Sequence, residues 1–310
     1  MPATATAEQE QAPPPPTRSS RSWGRAWEDI HEGIKQRELW GHLGWQDIKQ
    51  RYRRSVIGPL WITLSMAITA LGLGLLYSVL FDAKIPTYLP YITVGFIVWN
   101  FILGCLTEGT ETFIRNEGLI KHLPAPITVY ALRVVWRLTL MFAHNLLVYV
   151  VVVAVYWGAL SQPGYTITKD PNAAPQPGIT WAILWAIPAF VLLAINGGWV
   201  ALLLGIISTR YRDIPPVIIS FTQLLFFMTP IVWTTDILTN SVVPGGDGQW
   251  RILVAELNPL YHYVEILRAP LIGNTQSWHH WVVVGAFTVV GWGLALLAMR
   301  NYRARVSYWV

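Results

Sequence analysis

The sequence predicts an all-α membrane protein with six transmembrane helices, and three observations carry that expectation. Of its 310 residues, 53% are hydrophobic and only 13% charged, against roughly 25% charged in soluble domains. The charges are segregated, leaving stretches of about 20 residues without Asp, Glu, Lys or Arg, the length of helix that crosses a ~30 Å hydrocarbon core. Lys and Arg are also asymmetric. Of the 22, 18 fall at the two ends or in the even-numbered connections between predicted spans, and the odd-numbered ones hold Lys84, Lys169, Arg251 and Arg268. The positive-inside rule therefore predicts both termini in the cytoplasm.

Residues 1–24 are small, polar and Pro-rich, which predicts a disordered tail. No apolar run follows the first charges, so no signal peptide is expected and the internal spans must drive insertion. From Trp23 the pattern changes. Trp23, Trp27, Ile30 and Ile34 recur at spacings of four, three and four, one face of a helix, with Glu28, Asp29, Glu32 and Lys35 between them. An amphipathic helix of this kind over 25–55 suits the inner membrane interface, or the surface of a soluble partner. Gly41 and Gly44 interrupt its periodicity.

The predicted spans are 56–81, 89–107, 138–158, 181–208, 216–234 and 278–299. Trp157, Trp181, Trp233, Trp278 and Trp281 mark their outer boundary, Trp61 and Trp136 the inner one. Residues 235–277 are too apolar for a plain loop. They hold two short helical pieces near 249–272, separated by Asn258-Pro259 and too short to span, which reads as a re-entrant or interfacial external pair. Residues 300–310 form a cytoplasmic tail.

Several chemistries are missing. No predicted span contains Asp, Glu, Lys or Arg, so the intramembrane charge on which ion-coupled transport usually depends is absent. His144 and Asn145 in the third span are expected to be a hydrogen-bonded packing pair. The chain has no Gly-Lys dipeptide, hence no phosphate-cradling GxxxxGK[ST] loop, and no Asp-x-Asp for a metal-diphosphate. The single cysteine, Cys105, excludes an internal disulfide or a cysteine metal cluster and is expected to fill space. His279-His280 is the only adjacent His pair and has no carboxylate close in sequence, so no metal is expected. Energy for uphill transport must come from another polypeptide. The cytoplasmic segment after the second span suits contact with such a motor. Glu108 and Glu111 stand at the exit of that span, and a short helix near 115–125 is closed by Pro124 and Pro126. A solvated loop is the plainer reading of the same pattern.

Four ordered segments carry a family resemblance: IKQRYRRSVIGPLWITLSMAI; YITVGFIVWNFI with IRNEGLIKHLPAPITVYALR; STRYRDIPPVIISFTQLLFFMTPIVW; and LNPLYHYVEILRAPLIG. They resemble the permease subunits of type-2 ABC exporters of lipid-linked polysaccharide, the O-antigen, teichoic-acid and related glycan exporters. Tyr52, Ser55, Gly58, Leu60 and Trp61 stand at matching places, as do Arg212-Asp213, Thr229-Pro230, Asn258-Pro259 and Arg268. The Pro-rich tail, the SQPGYTITKDPNAAPQPG insertion and Ala125 depart from the pattern. The Trp- and Ala-rich style is most similar to mycobacterial galactan exporters.

The resemblance implies a homodimer in the bacterial cytoplasmic (inner) membrane, joined by two cytoplasmic ABC ATPase subunits that bind ATP and Mg2+, with no cofactor on this chain. It implies export of a polyprenyl-diphosphate-linked polysaccharide, with membrane lipids around it and no nucleic acid involved. First and fifth spans would line the path, with Trp61, Tyr77, Phe221, Phe226 and Phe227 as its aromatics and Tyr88 and Trp233 near the outer mouth. The 25–55 helix would gate the lipid, whose diphosphate would meet Lys49, Arg51, Arg53 and Arg54, although topology alone also places cations there. Arg115, Asn116, Glu117, Lys121 and His122 would form the ATPase-coupling helix. The rival readings are an ABC exporter of a drug or small lipid, and a membrane-bound glycan-assembly enzyme or scaffold.

Overall fold

The computed structural model describes residues 21–53, 55–58, 60–123, 125–169, 173–235 and 249–310. Most of the expected Pro-rich tail, together with Arg54, Pro124 and residues 236–248, lies outside the described residues. Within them the chain is helical and has no strand, only isolated bridges at Ala83–Thr168 and Tyr165–Gln176. Its helices are α1 Trp23–Lys35, α2 Arg37–Arg51, α3 Leu60–Leu80, α4 Ile85–Thr110, α5 Glu117–His122, α6 Ile127–Leu160, α7 Ala186–Arg210, α8 Ile214–Met228, α9 Gln249–Glu256, α10 Pro259–Ile272 and α11 Trp278–Trp309.

Five helices are long and apolar enough to cross a membrane: α3, α4, α6, α7 with its preceding turn Trp181–Trp185, and α11. α4 is the hub, with 78% of its apolar window buried inside the chain, against 28% for α3 and 22% for α11. α3, α6, α7, α8 and α10 all pack on it. Small residues permit the close approaches. A Cβ on Gly197 of α7 would lie 2.8 Å from the Cys105 sulfur of α4, so Cys105 is a packing residue between helices.

The fifth expected span, 216–234, is not a continuous helix. α8 has 15 residues, about 22 Å at 1.5 Å per residue. It stops because Thr229 precedes Pro230 and is extended, with ψ of 133°, the conformation a following proline enforces. The 230–235 backbone is enclosed by protein, where its carbonyls find partners. Arg268 Nη1 donates to the Pro230 carbonyl at 2.7 Å, the Tyr91 hydroxyl to the Trp233 carbonyl at 3.0 Å, and the Tyr88 hydroxyl to that of Val232. Irregular backbone at membrane depth is tolerated under those conditions.

The expected 25–55 helix is two helices, α1 and α2, broken at Gln36 and both packed on α6. Asp29 does not face water as its place among the charged residues of α1 predicts: it is 2% exposed. The buried face of α1 is Ala26, Asp29, Ile30 and Gly33, while Trp23, Trp27 and Ile34 are exposed. The small residues let α1 come close to α6, where Asp29 accepts from the amides of Ile127 and Thr128 at 3.3 and 3.1 Å. It caps the positive end of a helix whose own cap position is Pro126. Arg303 of α11 completes the contact at 3.0 Å. Gly44 does not break α2. It is a contact point where a Cβ would sit 2.9 Å from the Trp136 ring.

His144 and Asn145 do not bond to each other. His144 Nδ1 meets the Leu140 carbonyl at 2.7 Å, and Asn145 Oδ1 is buried without a partner among the described residues.

Candidate functional site

Three surfaces gather the residues singled out in the sequence, and a fourth cluster was not legible there. The first surface is the pair of helices that the chain leaves half-covered. α3 exposes Trp61, Ser65 and Thr69, spaced i, i+4, i+8. α8 exposes Ser220, Gln223 and Phe227, spaced i, i+3, i+7. Each stripe lies on one helical face and mixes an aromatic ring with hydroxyl or amide groups. Phe221 is exposed beside the second stripe. Tyr77 is half-buried and stacked on Phe81 at 5.6 Å, and Phe226 is wedged against Phe96 and Trp99. Trp233 is half-buried, its indole N–H held by the Phe227 carbonyl at 3.1 Å. Tyr88 requires a correction. It is 1% exposed and its hydroxyl is held by Val232, so it supports the broken backbone and faces no path. The polar members Ser65, Thr69, Ser220 and Gln223 were missed, although their helical spacing from Trp61 and Phe227 was a readable signal.

The second surface is the short helix α5. Lys121 pairs with Glu117 at 2.5 Å, and this neighbouring cation holds the exposed Glu117 carboxyl below its ordinary value. Arg115 pairs with Glu111. Arg115, Glu117, Leu119, Lys121, His122 and Leu123 are exposed, whereas Phe113 is fully buried and anchors the element. Asn116, expected on the docking face, points inward. Its amide donates to the Thr112 carbonyl at 2.6 Å and its oxygen accepts from Arg133 at 2.7 Å. Asn116 positions the helix and leaves the contact surface to its neighbours.

The third surface is the end of α2, where Lys49, Arg51 and Arg53 are exposed and make no ion pair among the described residues. Lys49 lies 5.7 Å over the Trp45 ring. Two of these cations sit in the last turn of α2, where they also complement the helix dipole.

Beneath these surfaces lies the cluster that ties them together. Asp47 of α2 accepts from Arg133 Nε at 2.9 Å, Arg133 Nη2 at 2.5 Å and Arg137 Nη1 at 2.8 Å. Arg137 also pairs with Glu108 at the end of α4, and Arg133 with Asn116 before α5. Burial pushes the Asp47 carboxyl upward, but the hydrogen bonds and charges of Arg133 and Arg137 outweigh it and hold the group below its ordinary value of 3.8. One carboxylate thus joins the helix α2, the span α6 and, through the two arginines, the approach to α5.

The sequence pattern of the ABC-2 type transporter family matches residues 38–272, a range that runs from α2 to the end of α10. Among curated proteins, the chain is 25% identical over 231 residues to an O-antigen export system permease protein RfbA of Klebsiella pneumoniae, covering 72% of this chain and 82% of that protein. A second K. pneumoniae protein of the same name is 23% identical over equal coverage. The RfbA permease of Myxococcus xanthus is 23% identical over 232 residues, 74% of this chain and 79% of its own length. With three-quarters of its length inside the family's pattern, this multi-pass membrane protein belongs to the ABC-2 type transporter family.

Proposed function

We propose that the chain is the permease subunit of an ATP-driven exporter that moves a polyprenyl-diphosphate-linked cell-surface polysaccharide across the bacterial inner membrane. The energy comes from a separate cytoplasmic ATPase, and this chain catalyses no reaction of its own. The observation that carries this reading is the pair of stripes Trp61–Ser65–Thr69 and Ser220–Gln223–Phe227, on a chain whose relatives are named O-antigen export permeases. A glycan leaving water must keep its hydroxyl groups satisfied, since each unpaired one costs several kcal/mol. Aromatic faces cover the C–H surfaces of sugar rings, and the hydroxyl and amide groups between them hold water or sugar.

The exposed faces of α3 and α8 support a two-fold homodimer in which both stripes line a shared path between the copies. α8 with its enclosed 230–235 continuation serves as the sixth crossing, and both termini lie in the cytoplasm as the Lys and Arg asymmetry requires. The α1–α2 pair lies at the inner leaflet with Trp23, Trp27 and Ile34 toward lipid. Lys49, Arg51, Arg53 and Arg54 receive the diphosphate beside it, and α5 docks in the ATPase. The resemblance of its Trp- and Ala-rich style to mycobacterial galactan exporters favours a galactan among the possible glycans.

Depletion of the protein, followed by identification of the lipid-linked intermediate retained on the cytoplasmic side, tests the function. Accumulation of a long glycan on polyprenyl diphosphate is expected. Unchanged glycolipid pools together with lost efflux of a small amphiphile would replace this reading with the drug-exporter one. For the path, Trp61→Ala and Phe227→Ala are expected to lower export while Trp61→Phe and Phe227→Tyr retain it. Normal export in both Ala variants would remove the aromatic stripes from the mechanism.

A further inference from the structure

We propose that His262, His279 and His280 form a binding site for a divalent transition metal of the zinc type on the outer side of the protein, with the Glu256 carboxylate within reach as a fourth ligand. The chain has seven histidines, and three of them meet at this corner. His262 stands in the first turn of α10, His279 and His280 in the first turn of α11, and Glu256 ends α9. One ring nitrogen from each imidazole lies within 4.8 Å of the others. The sequence conceals the group, because it shows an adjacent pair without a carboxylate, whereas the third imidazole and the carboxylate arrive from 17 and 23 residues before His279.

Hydrogen bonding orients the rings. His262 Nε2 lies 2.8 Å from the Glu256 backbone carbonyl. That oxygen only accepts, so Nε2 carries the proton and Nδ1 presents its lone pair. That lone pair faces His280 Nδ1 at 2.7 Å. His279 has Nδ1 2.6 Å from the Ser277 hydroxyl and Nε2 3.4 Å from a Glu256 carboxylate oxygen. Two of the three imidazoles therefore have the non-ligand nitrogen held by a carbonyl or a hydroxyl. Metal-bound histidines are oriented by that kind of outer partner. In a tetrahedral site with metal–nitrogen bonds of about 2.0–2.1 Å, ligand nitrogens stand about 3.4 Å apart. The His262–His280 contact would open by a fraction of an ångström as a metal takes the place of the proton between them.

Burial argues in the same direction. His262 and His280 are 2% and 8% exposed, enclosed on the protein side, while His279 is about half exposed and keeps the site open to the outside. The buried cation Arg268 is paired with Glu265. Imidazole ligands with one carboxylate select zinc or a similar first-row ion over magnesium or calcium. Such an ion would fasten α9 and α10, the external pair, to the start of the last span.

The test uses the full-length chain, purified without a polyhistidine tag and stripped of metal, with Co2+ as a spectroscopic probe. One Co2+ per chain is expected, with visible absorption characteristic of a tetrahedral site, displaced stoichiometrically by Zn2+. His279→Ala, at an exposed position that preserves the fold, should weaken binding by at least about tenfold, and Ser277→Ala, which removes an outer-shell partner, by about tenfold. His31→Ala with His42→Ala, remote from the site, should leave binding unchanged. Absence of the visible band, or the same Co2+ affinity in wild type and in His279→Ala, would overturn the proposal and leave the histidines as a hydrogen-bonded packing group.

Discussion

Replacing Asp47 with Ala is expected to loosen helix α2 from the membrane-spanning body. The substitution deletes three charge-assisted hydrogen bonds, two from Arg133 and one from Arg137, at side chains that are 14–15% exposed. Breaking a buried ion pair costs about 3–5 kcal/mol when a charge is left stranded. Here both arginines keep a second partner, Asn116 and Glu108, so the loss should be smaller, about 2–4 kcal/mol, equivalent to one or two hydrogen bonds to charged groups. Denaturation of the purified protein measures the total. Hydrogen exchange across 37–51 should show faster exchange there than in α4. A double-mutant cycle with Arg137→Ala should give a coupling of about 1–3 kcal/mol, whereas additivity within about 0.5 kcal/mol would refute the shared carboxylate as the joint. The pH dependence follows in sign. The Asp47 carboxyl lies below its ordinary 3.8 in the folded protein, so its contribution is complete only from about one pH unit above that ordinary value and disappears as pH falls through the depressed folded value. The joint is therefore constant across neutral pH.

Arg268→Met should destabilise the protein by about 3–5 kcal/mol, because Glu265 and the Pro230 carbonyl lose a fully buried partner. Arg268→Lys should rescue little of this, since an ammonium cannot serve both groups and lie flat over the Tyr91 ring at 3.9 Å; thermal unfolding of both variants is the check. Gly273→Ala should cost more than about 1 kcal/mol in the same assay. Gly273 ends α10 at φ +74° and an added Cβ would collide with the Gly178 backbone of the 161–178 segment. Leu119→Ser with Leu123→Ser, at exposed positions of α5, should lower export and co-purification of the ATPase while leaving the amount of permease in the membrane unchanged. Undiminished co-purification would mean that α5 is not the docking element.

Much of the framework was legible in the chain itself. Hydropathy and charge segregation are properties of contiguous residues, so the membrane class, the long helices and the Lys and Arg asymmetry follow without any knowledge of neighbours. The short helix before Pro126 and the two short helices flanking Asn258-Pro259 were equally local, since proline and helical period act over a few residues. The division of the amphipathic segment at Gln36 and the end of α8 at Met228 depended on a competition. At Thr229 the preference of a pre-proline residue for extended backbone prevails over apolar continuity because Arg268, Tyr88 and Tyr91 stand ready to satisfy the freed carbonyls. Tyr88 could be read as a path aromatic only while those carbonyls were out of sight.

The roles of Asp29, Asp47, Arg133, Arg137 and the histidine cluster came from tertiary structure alone. In sequence Asp29 and Asp47 are charges on a surface helix, Arg133 and Arg137 are positive-inside residues, and His262 is one aromatic among several beside Asn258-Pro259. Each acquires its function from a partner 17 to 274 positions away. Periodicity states which face a residue occupies, but only the packing of α1, α2, α6 and α11 decides whether that face meets lipid, water or a helix terminus in need of a carboxylate.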